Sequence, residues 1–153
     1  MILTGGEPLI KDQIVEIAKA LGNGLTCPIT LQSNGLAITK DLTEQLKGYI
    51  NEIDFSTMHM FGTPEKEQQL INHIEMCQQA GIKVVLSFIY EKTNEVDLYR
   101  VIDIAAKYDI DVLFNIVSSV GRAKENSEIL TDMEHLDMNL KIAKYILKQG
   151  YEE

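Results

Sequence analysis

Short apolar runs alternate along the chain with longer segments in which apolar residues recur every three or four positions. The first pattern is typical of buried strands, and the second of amphipathic helices. Equivalent points in successive runs lie 25 to 31 residues apart, which is the length of one strand, one crossover helix and two short loops. The pattern therefore predicts an α/β fold of five βα units in a parallel sheet. The predicted strands are 2–4, 29–32, 53–57, 84–89 and 112–117.

The helices are predicted from their apolar faces and from local start signals. Thr63 followed by Pro64 is typical of a helix start, and Asn94 is expected to cap the fourth helix. Thr131-x-x-Glu134 has the form of a capping box. The inward faces are predicted, helix by helix, to be Ile10, Ile14, Ile17, Ala18 and Leu21; Leu42, Leu46, Tyr49 and Ile50; Leu70, Ile71, Ile74 and Cys77; Leu98, Val101, Ile102 and Ala105; and Leu136, Leu140, Ala143 and Leu147.

Two architectures fit this repeat. Because the strands read as apolar runs, both faces of the sheet are expected to be buried under helices. Five units form either a doubly wound open sheet or an arc of a βα barrel, and the periodicity does not distinguish the two. In both, ligands bind at the carboxyl ends of the strands. The polar motifs at that edge are Gly5-Gly6-Glu7-Pro8, Ser33-Asn34-Gly35, Ser56 to His59 and Gly121-Arg122-Ala123.

The size and charge of the chain narrow the classes of partner. Its 153 residues suit one domain spanning 1–153. No apolar run approaches the roughly 20 residues of a membrane span, so no membrane partner is expected. No signal peptide is visible at the N-terminus, and a cytoplasmic location is the default expectation. A formal net charge of −9 with no cluster of Lys and Arg argues against binding to nucleic acid.

The cysteines and histidines do not predict a metal site. Cys27 and Cys77 lie fifty residues apart and are expected to be ordinary buried thiols. His59, His73 and His135 are not at the spacing of metal ligands. No metal-binding residue is therefore predicted.

The segment Gly5-Gly6-Glu7-Pro8 directly follows the first apolar run. Two glycines leave the backbone uncovered and free to adopt a positive φ close to a ligand. Pro8 stiffens the turn where the Glu7 carboxylate is placed. The segment predicts a site for an ammonium group, and the structural alternative is a tight turn.

These strand-end motifs, in this order, resemble those of the radical S-adenosylmethionine (radical SAM) family over nearly the whole chain. The loop after the fourth family strand is present only in altered form. The Gly-Arg-Ala motif is similar to that of members that modify peptides, carry a Cys-rich C-terminal extension or build molybdenum cofactor. The matching segments are Ile2 to Leu9, Ser33 to Gly35, Phe55 to His59, Gly62 to Glu65, Gly81 to Val84, Thr93-Asn94 and Gly121 to Ala123.

The family's three clustered cysteines, typically Cys-x-x-x-Cys-x-x-Cys, do not occur in this sequence. The resemblance therefore implies units two to six of a six-unit partial barrel, truncated at its N-terminus. In the parent enzyme a [4Fe-4S] cluster would cleave S-adenosylmethionine reductively to a 5′-deoxyadenosyl radical, which abstracts hydrogen from a substrate such as a peptide or protein. The fragment itself is expected to be inactive, and the cluster is expected only in the full-length parent.

The resemblance also implies residue roles. Gly5, Gly6, Glu7 and Pro8 would form the cofactor loop, in which Glu7 and the backbone accept hydrogen bonds from the methionine ammonium. The charge-assisted contact to a carboxylate is about twice as strong as a neutral hydrogen bond.

Five further residues have an implied role and a structural alternative. Ser56 or Thr57 would contact the ribose or the methionine carboxylate, and the register leaves both open; the alternative is a buried hydroxyl bonded to nearby backbone. Arg122 would pair with a carboxylate, or lie on the surface beside a helix. Asn34 would contact the cofactor, or only form a turn. His59 is a weak candidate for substrate contact, or a half-exposed structural residue.

A second class of function stays open on the sequence alone. The same strand ends could serve a nucleotide- or peptide-binding α/β module without redox chemistry. An arc without its first unit would also expose the edge of the first strand, and self-association through that edge is expected. The substrate is not determined by the sequence, because one fold supports many chemistries.

Overall fold

The computed structural model describes residues 1–58, 60–91, 93–116 and 130–151. Strands and helices alternate in it as the periodicity predicts. The strands are β1 (Ile2–Leu3), β2 (Thr30–Ser33), β3 (Glu52–Ser56), β4 (Lys83–Tyr90) and β5 (Asp111–Ile116). The helices are α1 (Ile14–Gly24), α2 (Lys40–Leu46), α3 (Pro64–Gln79), α4 (Glu95–Tyr108) and α5 (Asp132–Gln149), and a short 3-10 helix spans Pro8–Ile10.

The strands form one sheet in the sequential order β1-β2-β3-β4-β5. The pairs β1–β2, β2–β3 and β3–β4 are parallel, with Leu3 beside Leu31, Leu31 beside Ile53, and Phe55 beside Leu86. A doubly wound sheet reverses its strand order, whereas a βα barrel keeps neighbouring strands in chain order. The observed order therefore confirms the βα repeat and agrees with the barrel arc.

The chain divides into two compact units. The first comprises Met1–Ser87 and holds β1 to β3 with the first part of β4. The second comprises Phe88–Glu153 and holds the end of β4, α4, β5 and α5.

In the first unit the two faces of the sheet differ in chemistry. One face carries buried apolar residues, and the Phe55 ring lies 6.2 Å from the ring of His73 in α3. We call it the helix face: Leu31, Ser33, Ile53, Phe55, Val84 and Leu86. The alternate positions form the open face: Thr30, Gln32, Glu52, Asp54, Ser56, Lys83, Val85 and Ser87.

The expectation that both faces of the sheet are buried is wrong for the open face. There, only Asp54 is buried, while the others are partly or fully exposed. The physical reason is that β2 and β3 alternate apolar and polar residues, and polar side chains without partners are costly to bury. The strands therefore bury one face under helices and keep polar groups on the other.

The first helix begins later than the periodicity suggests. Glu7 caps the 3-10 helix with its carboxylate, and Pro8 is its first residue, so α1 starts only at Ile14. Ile14 and Ala18 are buried as predicted, whereas Ile10 and Ile17 are exposed. Ile10 lies in the 3-10 helix and not in α1, and within α1 the buried side follows Ile14 and Ala18, which are four residues apart.

The predicted inner face of α5 is wrong. Met138 and Ile142 are buried, whereas Leu136, Leu140, Ala143 and Leu147 are exposed. Polar contacts with α4 select the buried face, as shown by the pairs Tyr145–Asp103 (2.9 Å) and Lys141–Glu95 (2.9 Å). Side chains four residues apart share one helix face, so Lys141 and Tyr145 turn the Met138–Ile142 side toward α4.

The middle helices and two of the caps agree with the sequence. The predicted faces of α3 and α4 are buried except for Ile71, which is partly exposed. Thr63 caps α3, and Thr131 and Glu134 form both bonds of the capping box. Asn94 occupies the cap position of α4, but its side chain does not cap the helix: Oδ1 accepts from Glu91 N in the preceding loop, and Nδ2 donates to Ile89 O in β4.

The cysteines differ in environment. Cys77 is buried in α3 as expected, and burial raises the pKa of its thiol to about 12. Cys27 is exposed, contrary to expectation, because it lies in the loop before β2. None of the described helices is long and apolar enough to cross a bilayer.

Candidate functional site

The loop after β1 is built from two glycines in conformations that other residues rarely adopt. Gly5 has a φ of 108° and Gly6 a φ of 55°. A Cβ atom added to either would meet no atom within 4 Å. These glycines are therefore required by backbone conformation rather than by crowding, and their peptide groups border open space.

The Glu7 carboxylate connects this loop to the end of β2. Its Oε1 accepts hydrogen bonds from Ser33 Oγ at 2.8 Å and Leu9 N at 3.0 Å. Its Oε2 accepts one from Asn34 N at 2.7 Å. A carboxylate offers about four acceptor positions, so one position on Oε2 remains beyond the three donors. The predicted meeting of the first two strand-end motifs is thus confirmed, and Glu7 also has a structural role.

The turn after β2 is held from two sides. Ser33 Oγ accepts from Gly35 N at 2.9 Å, and Asn34 Oδ1 accepts from Leu36 N at 2.9 Å. Gly35 has a φ of 76°, and a Cβ there would lie 3.0 Å from the Phe55 ring. Asn34 therefore forms the predicted turn, while Glu7 in front and Phe55 behind position it.

The two hydroxyl candidates at the end of β3 have different environments. Thr57 is buried, and both its backbone N and its Oγ1 donate to Ser87 O at 3.0 Å. Ser56 lies on the open face and is partly exposed. Of the two, Ser56 is the hydroxyl that a ligand on the open face can reach.

The structure does not describe two of the predicted site residues, His59 and Arg122. His59, the candidate for substrate contact, and Arg122 with its neighbours Gly121 and Ala123 lie outside the described residues. Their roles stay predictions.

The open face carries polar pairs that lie outside the strand-end motifs. Glu52 Oε1 accepts from Thr30 Oγ1 at 3.1 Å, and Asp54 Oδ2 accepts from Gln32 Nε2 at 3.0 Å. Lys83 Nζ lies 3.8 Å from Glu52 Oε2 in an exposed and therefore weak ion pair. The signal that could have revealed this face is the alternation of polar residues in Thr30-Leu31-Gln32-Ser33 and Glu52-Ile53-Asp54-Phe55.

Behind the turn, His73 is buried beside Phe55. Burial lowers the pKa of its imidazole. Its Nδ1 has no hydrogen-bond partner among the described residues. A neutral imidazole packed against an aromatic ring serves the apolar side of the sheet.

The residues of this chain fit one of the two groups that the family implies. The loop of Gly5, Gly6 and Glu7 offers open backbone and a carboxylate oxygen, which suit an ammonium group. A [4Fe-4S] cluster does not fit, because three thiolates are needed and the sequence contains two cysteines, one exposed and one buried. In the described part of the chain, no three His, Cys, Asp or Glu residues are grouped to hold a metal ion.

Curated proteins show similarity to nearly the whole chain. No family model matches it. The GTP 3′,8-cyclase of Clostridium perfringens (strain SM101 / Type A) is 30% identical over 176 residues, covering 97% of this chain and 53% of the relative. The pre-heme d1 synthase of Dinoroseobacter shibae is 25% identical over 135 residues, covering 82% of this chain and 33% of the relative. The chain thus spans about half, or less, of the curated relatives it matches.

Solved structures with a similar fold include the Streptococcus suis protein SuiB. SuiB bound to S-adenosylmethionine matches with a TM-score of 0.72 at 19% identity, covering 97% of this chain and 36% of SuiB. SuiB bound to its precursor peptide SuiA matches with a TM-score of 0.80 at 18% identity, with the same coverage. At this identity the likeness establishes a shared fold.

Proposed function

Because the chain belongs to the radical S-adenosylmethionine family, we propose that its Gly5–Glu7 loop binds the methionine end of S-adenosylmethionine. One observation above all supports the proposal. Gly5 and Gly6, which border open space, directly precede Glu7, and three hydrogen-bond donors fix the carboxylate of Glu7 in place. An ammonium group has three N–H donors and needs acceptors in a fixed arrangement. The remaining acceptor position on Glu7 Oε2, with the carbonyls of the glycine loop, supplies them.

The other cofactor contacts are assigned from position. Ser56 is proposed to bind the methionine carboxylate or ribose, because Thr57 already donates its hydroxyl proton to Ser87 O. The backbone N–H of Asn34 is used by Glu7, so Asn34 would contact the cofactor through its side-chain amide. Pro8 would contribute by stiffening the loop. Arg122 and His59 keep the roles inferred from the family resemblance.

The chemistry of the parent enzyme is that of the family. When bound together in the parent enzyme, S-adenosylmethionine and a [4Fe-4S] cluster would supply the abstraction of a hydrogen atom from the substrate. This chain lacks the three thiolates, so its own part is to bind and orient the methionine group. We expect the 153 residues alone to be inactive.

The substrate class is proposed as a peptide or protein. The support is that SuiB, which shares the fold, is bound to a precursor peptide in one structure. A non-redox nucleotide- or peptide-binding module is not favoured, because the curated relatives reported above are enzymes, named GTP 3′,8-cyclase and pre-heme d1 synthase. A single domain over 1–153 and a cytoplasmic location remain predictions.

Self-association through β1 is also proposed. β1 is an edge strand of the described sheet, and Ile2 on it is 59% exposed. A strand in that position presents unpaired backbone groups to another chain.

The proposal is tested by nuclear magnetic resonance on the 15N-labelled chain titrated with S-adenosylmethionine. We expect the amide signals of Gly5, Gly6 and Asn34 to shift, because bound ammonium changes the field at the loop. Free methionine should shift the same signals more weakly, and N-acetylmethionine, which lacks the ammonium, should leave them unchanged. Unchanged loop signals at saturating S-adenosylmethionine would refute the proposal.

A matched pair of glycine variants controls for strain. Gly5→Ala places a Cβ at a φ of 108°, and Gly48→Ala places one at a φ of 80° in the loop after α2; neither Cβ meets an atom within 4 Å. Both cost backbone strain of roughly 1–3 kcal/mol. Only Gly5→Ala should weaken binding. Glu7→Gln is a poorer test, because its amide N–H would face one of the donors that now bind the carboxylate.

A further inference from the structure

The centre of the open face contains one row that spans three strands. The register places Gln32 of β2 beside Asp54 of β3, and Asp54 beside Val85 of β4. The next row toward the carboxyl ends of the strands contains Ser56 and Ser87. Gln32, Ser56 and Ser87 are partly exposed, so a ligand on this face reaches the surroundings of Asp54.

Asp54 is a buried carboxylate that is only half satisfied. Its side chain is 6% exposed, and Oδ2 accepts from Gln32 Nε2 at 3.0 Å. Its Oδ1 is buried and has no hydrogen-bond partner among the described residues. Burying a charged oxygen without a donor is costly, and most such oxygens in native proteins are paired. The unpaired oxygen therefore points to a donor that binds from outside the described residues.

The neighbouring amide supplies a second acceptor. A carboxylate only accepts hydrogen bonds, so the Gln32 amide must turn its Nε2 toward Asp54 and its Oε1 away. Gln32 Oε1 is thus an acceptor in the same row as Asp54 Oδ1, which a donor reaches by displacing the side chains that cover it. Such a pair suits a group that carries at least two N–H donors.

We propose that Asp54 and Gln32 bind an amino or ammonium group of the substrate, and that this row selects a cationic, amine-bearing substrate such as a lysine side chain of a peptide. The proposal rests on the proposed binding of S-adenosylmethionine by the same chain and adds the substrate class of the parent enzyme. The charge of the face favours a cation, because its described residues carry two carboxylates, Glu52 and Asp54, and one ammonium group, that of Lys83. A nucleoside triphosphate, the substrate class of the relatives named GTP 3′,8-cyclase, would meet repulsion here.

The test uses the labelled chain and three small probes. N-acetyl-lysine amide should shift the amide signals of the Asp54 row, whereas the neutral N-acetyl-norleucine amide of similar shape should leave them unchanged. GTP is the third probe, and we expect no shift at Asp54. A shift with the norleucine probe equal to that with lysine, or a GTP shift centred on Asp54, would overturn the proposal.

Two variants separate this site from its surroundings. Asp54→Asn should weaken N-acetyl-lysine amide about tenfold or more, because a charge-assisted bond is lost. Glu52→Gln removes the same charge from the row below, where both oxygens already have partners, and should change affinity less than threefold. Equal losses in both variants would show general electrostatics instead of a site and would refute the assignment.

A measurement of thermal stability tests whether Asp54 has only a structural role. Asp54→Leu should keep or raise the melting temperature, because an unpaired buried oxygen is removed. A fall of many degrees would assign Asp54 to the fold and overturn the proposal.

The amide signals of Gly5 and Gly6 report the binding of S-adenosylmethionine separately. If these signals do not respond to S-adenosylmethionine while N-acetyl-lysine amide still binds, the proposed function alone is refuted. If they respond while N-acetyl-lysine amide does not bind, only the substrate assignment is refuted.

Discussion

The helix face and the open face of the first unit are built from the same strands but have different roles. On β3, Ile53 and Phe55 point into the apolar side and are fully buried, while Glu52, Asp54 and Ser56 alternate with them on the polar side. Burying an apolar side chain of this size stabilises a fold by about 1.5–3 kcal/mol. Exposed polar pairs contribute about 0–1 kcal/mol. Stability is therefore concentrated on one face, which leaves the other free to carry chemistry.

The division between an apolar buried face and a polar exposed face has two exceptions, Ser33 and Asp54. Ser33 belongs to the helix face by register and is buried, yet its hydroxyl donates to Glu7 of the candidate cofactor loop. Asp54 belongs to the open face, yet it is buried as well. Each face thus contributes one buried polar residue to a candidate site: Ser33 supports the cofactor loop, and Asp54 belongs to the proposed substrate row. Five variants test how far the division holds.

The largest effect is expected for Phe55→Ala on the helix face. Removal of a buried aromatic ring costs about 3–5 kcal/mol, because a cavity is left among its neighbours. The ring also packs against the Gly35 turn and His73, so the turn should loosen. Urea denaturation followed by circular dichroism measures the loss. A cost under 1 kcal/mol would contradict the assignment of stability to this face.

A smaller loss is expected for Ser33→Ala. The variant removes one donor to Glu7 Oε1 and the acceptor for Gly35 N, and each lost partner of a buried polar group costs about 1–3 kcal/mol. The affinity for S-adenosylmethionine should also fall, because the carboxylate is less well fixed. Denaturation and titration on the same sample test both. Unchanged affinity at reduced stability would separate Ser33 from the site.

His73 predicts a modest dependence of stability on pH. Burial lowers its pKa in the folded state, so below the unfolded value of about 6.5 the unfolded chain binds a proton that the folded chain does not. This contribution to stability is present above pH 6.5 and is lost as pH falls toward the folded pKa. His73→Phe should flatten this part of the profile of unfolding free energy against pH. A profile with unchanged slope would exclude His73 as its source.

The smallest effect on stability is expected for Ser56→Ala. The side chain is partly exposed on the open face, and surface changes of this kind usually alter stability by less than about 0.5 kcal/mol. Affinity for S-adenosylmethionine should nevertheless fall by roughly fivefold to tenfold, as for the loss of one hydrogen bond. Thr57→Val provides the contrast: it should lose stability, because Oγ1 bonds to Ser87 O, and keep its affinity. The opposite pattern would assign the ligand hydroxyl to Thr57.

Much of the fold could be predicted from local periodicity. Strand and helix alternation depends on spacings of two to four residues, which the chain displays directly, and the faces of α3 and α4 followed from it. The caps at Thr63 and Thr131 were predictable for the same reason, because a cap bonds only to the next turn. The Gly-Gly-Glu-Pro loop was found because strand ends in a parallel sheet meet at one edge.

The face of α5 was not predictable from its own residues. Its leucines at 136, 140 and 147 form a regular stripe, yet Tyr145 and Lys141 bond to α4 and turn a different side inward. The helix has two apolar faces that could be buried, the leucine stripe and the side that carries Met138 and Ile142. Contacts with residues more than forty positions away decided between them.

The sequence by itself determined which strand ends carry glycines, carboxylates and hydroxyls, because those are properties of short segments. The tertiary structure alone decided that Glu7 is held by Ser33 and Asn34, and that Gln32 stands beside Asp54 and leaves one carboxylate oxygen unpaired. The physical reason is register. Pairing between strands more than twenty residues apart sets which side chains share a row, and a shift of one residue would move every one of them to the other face.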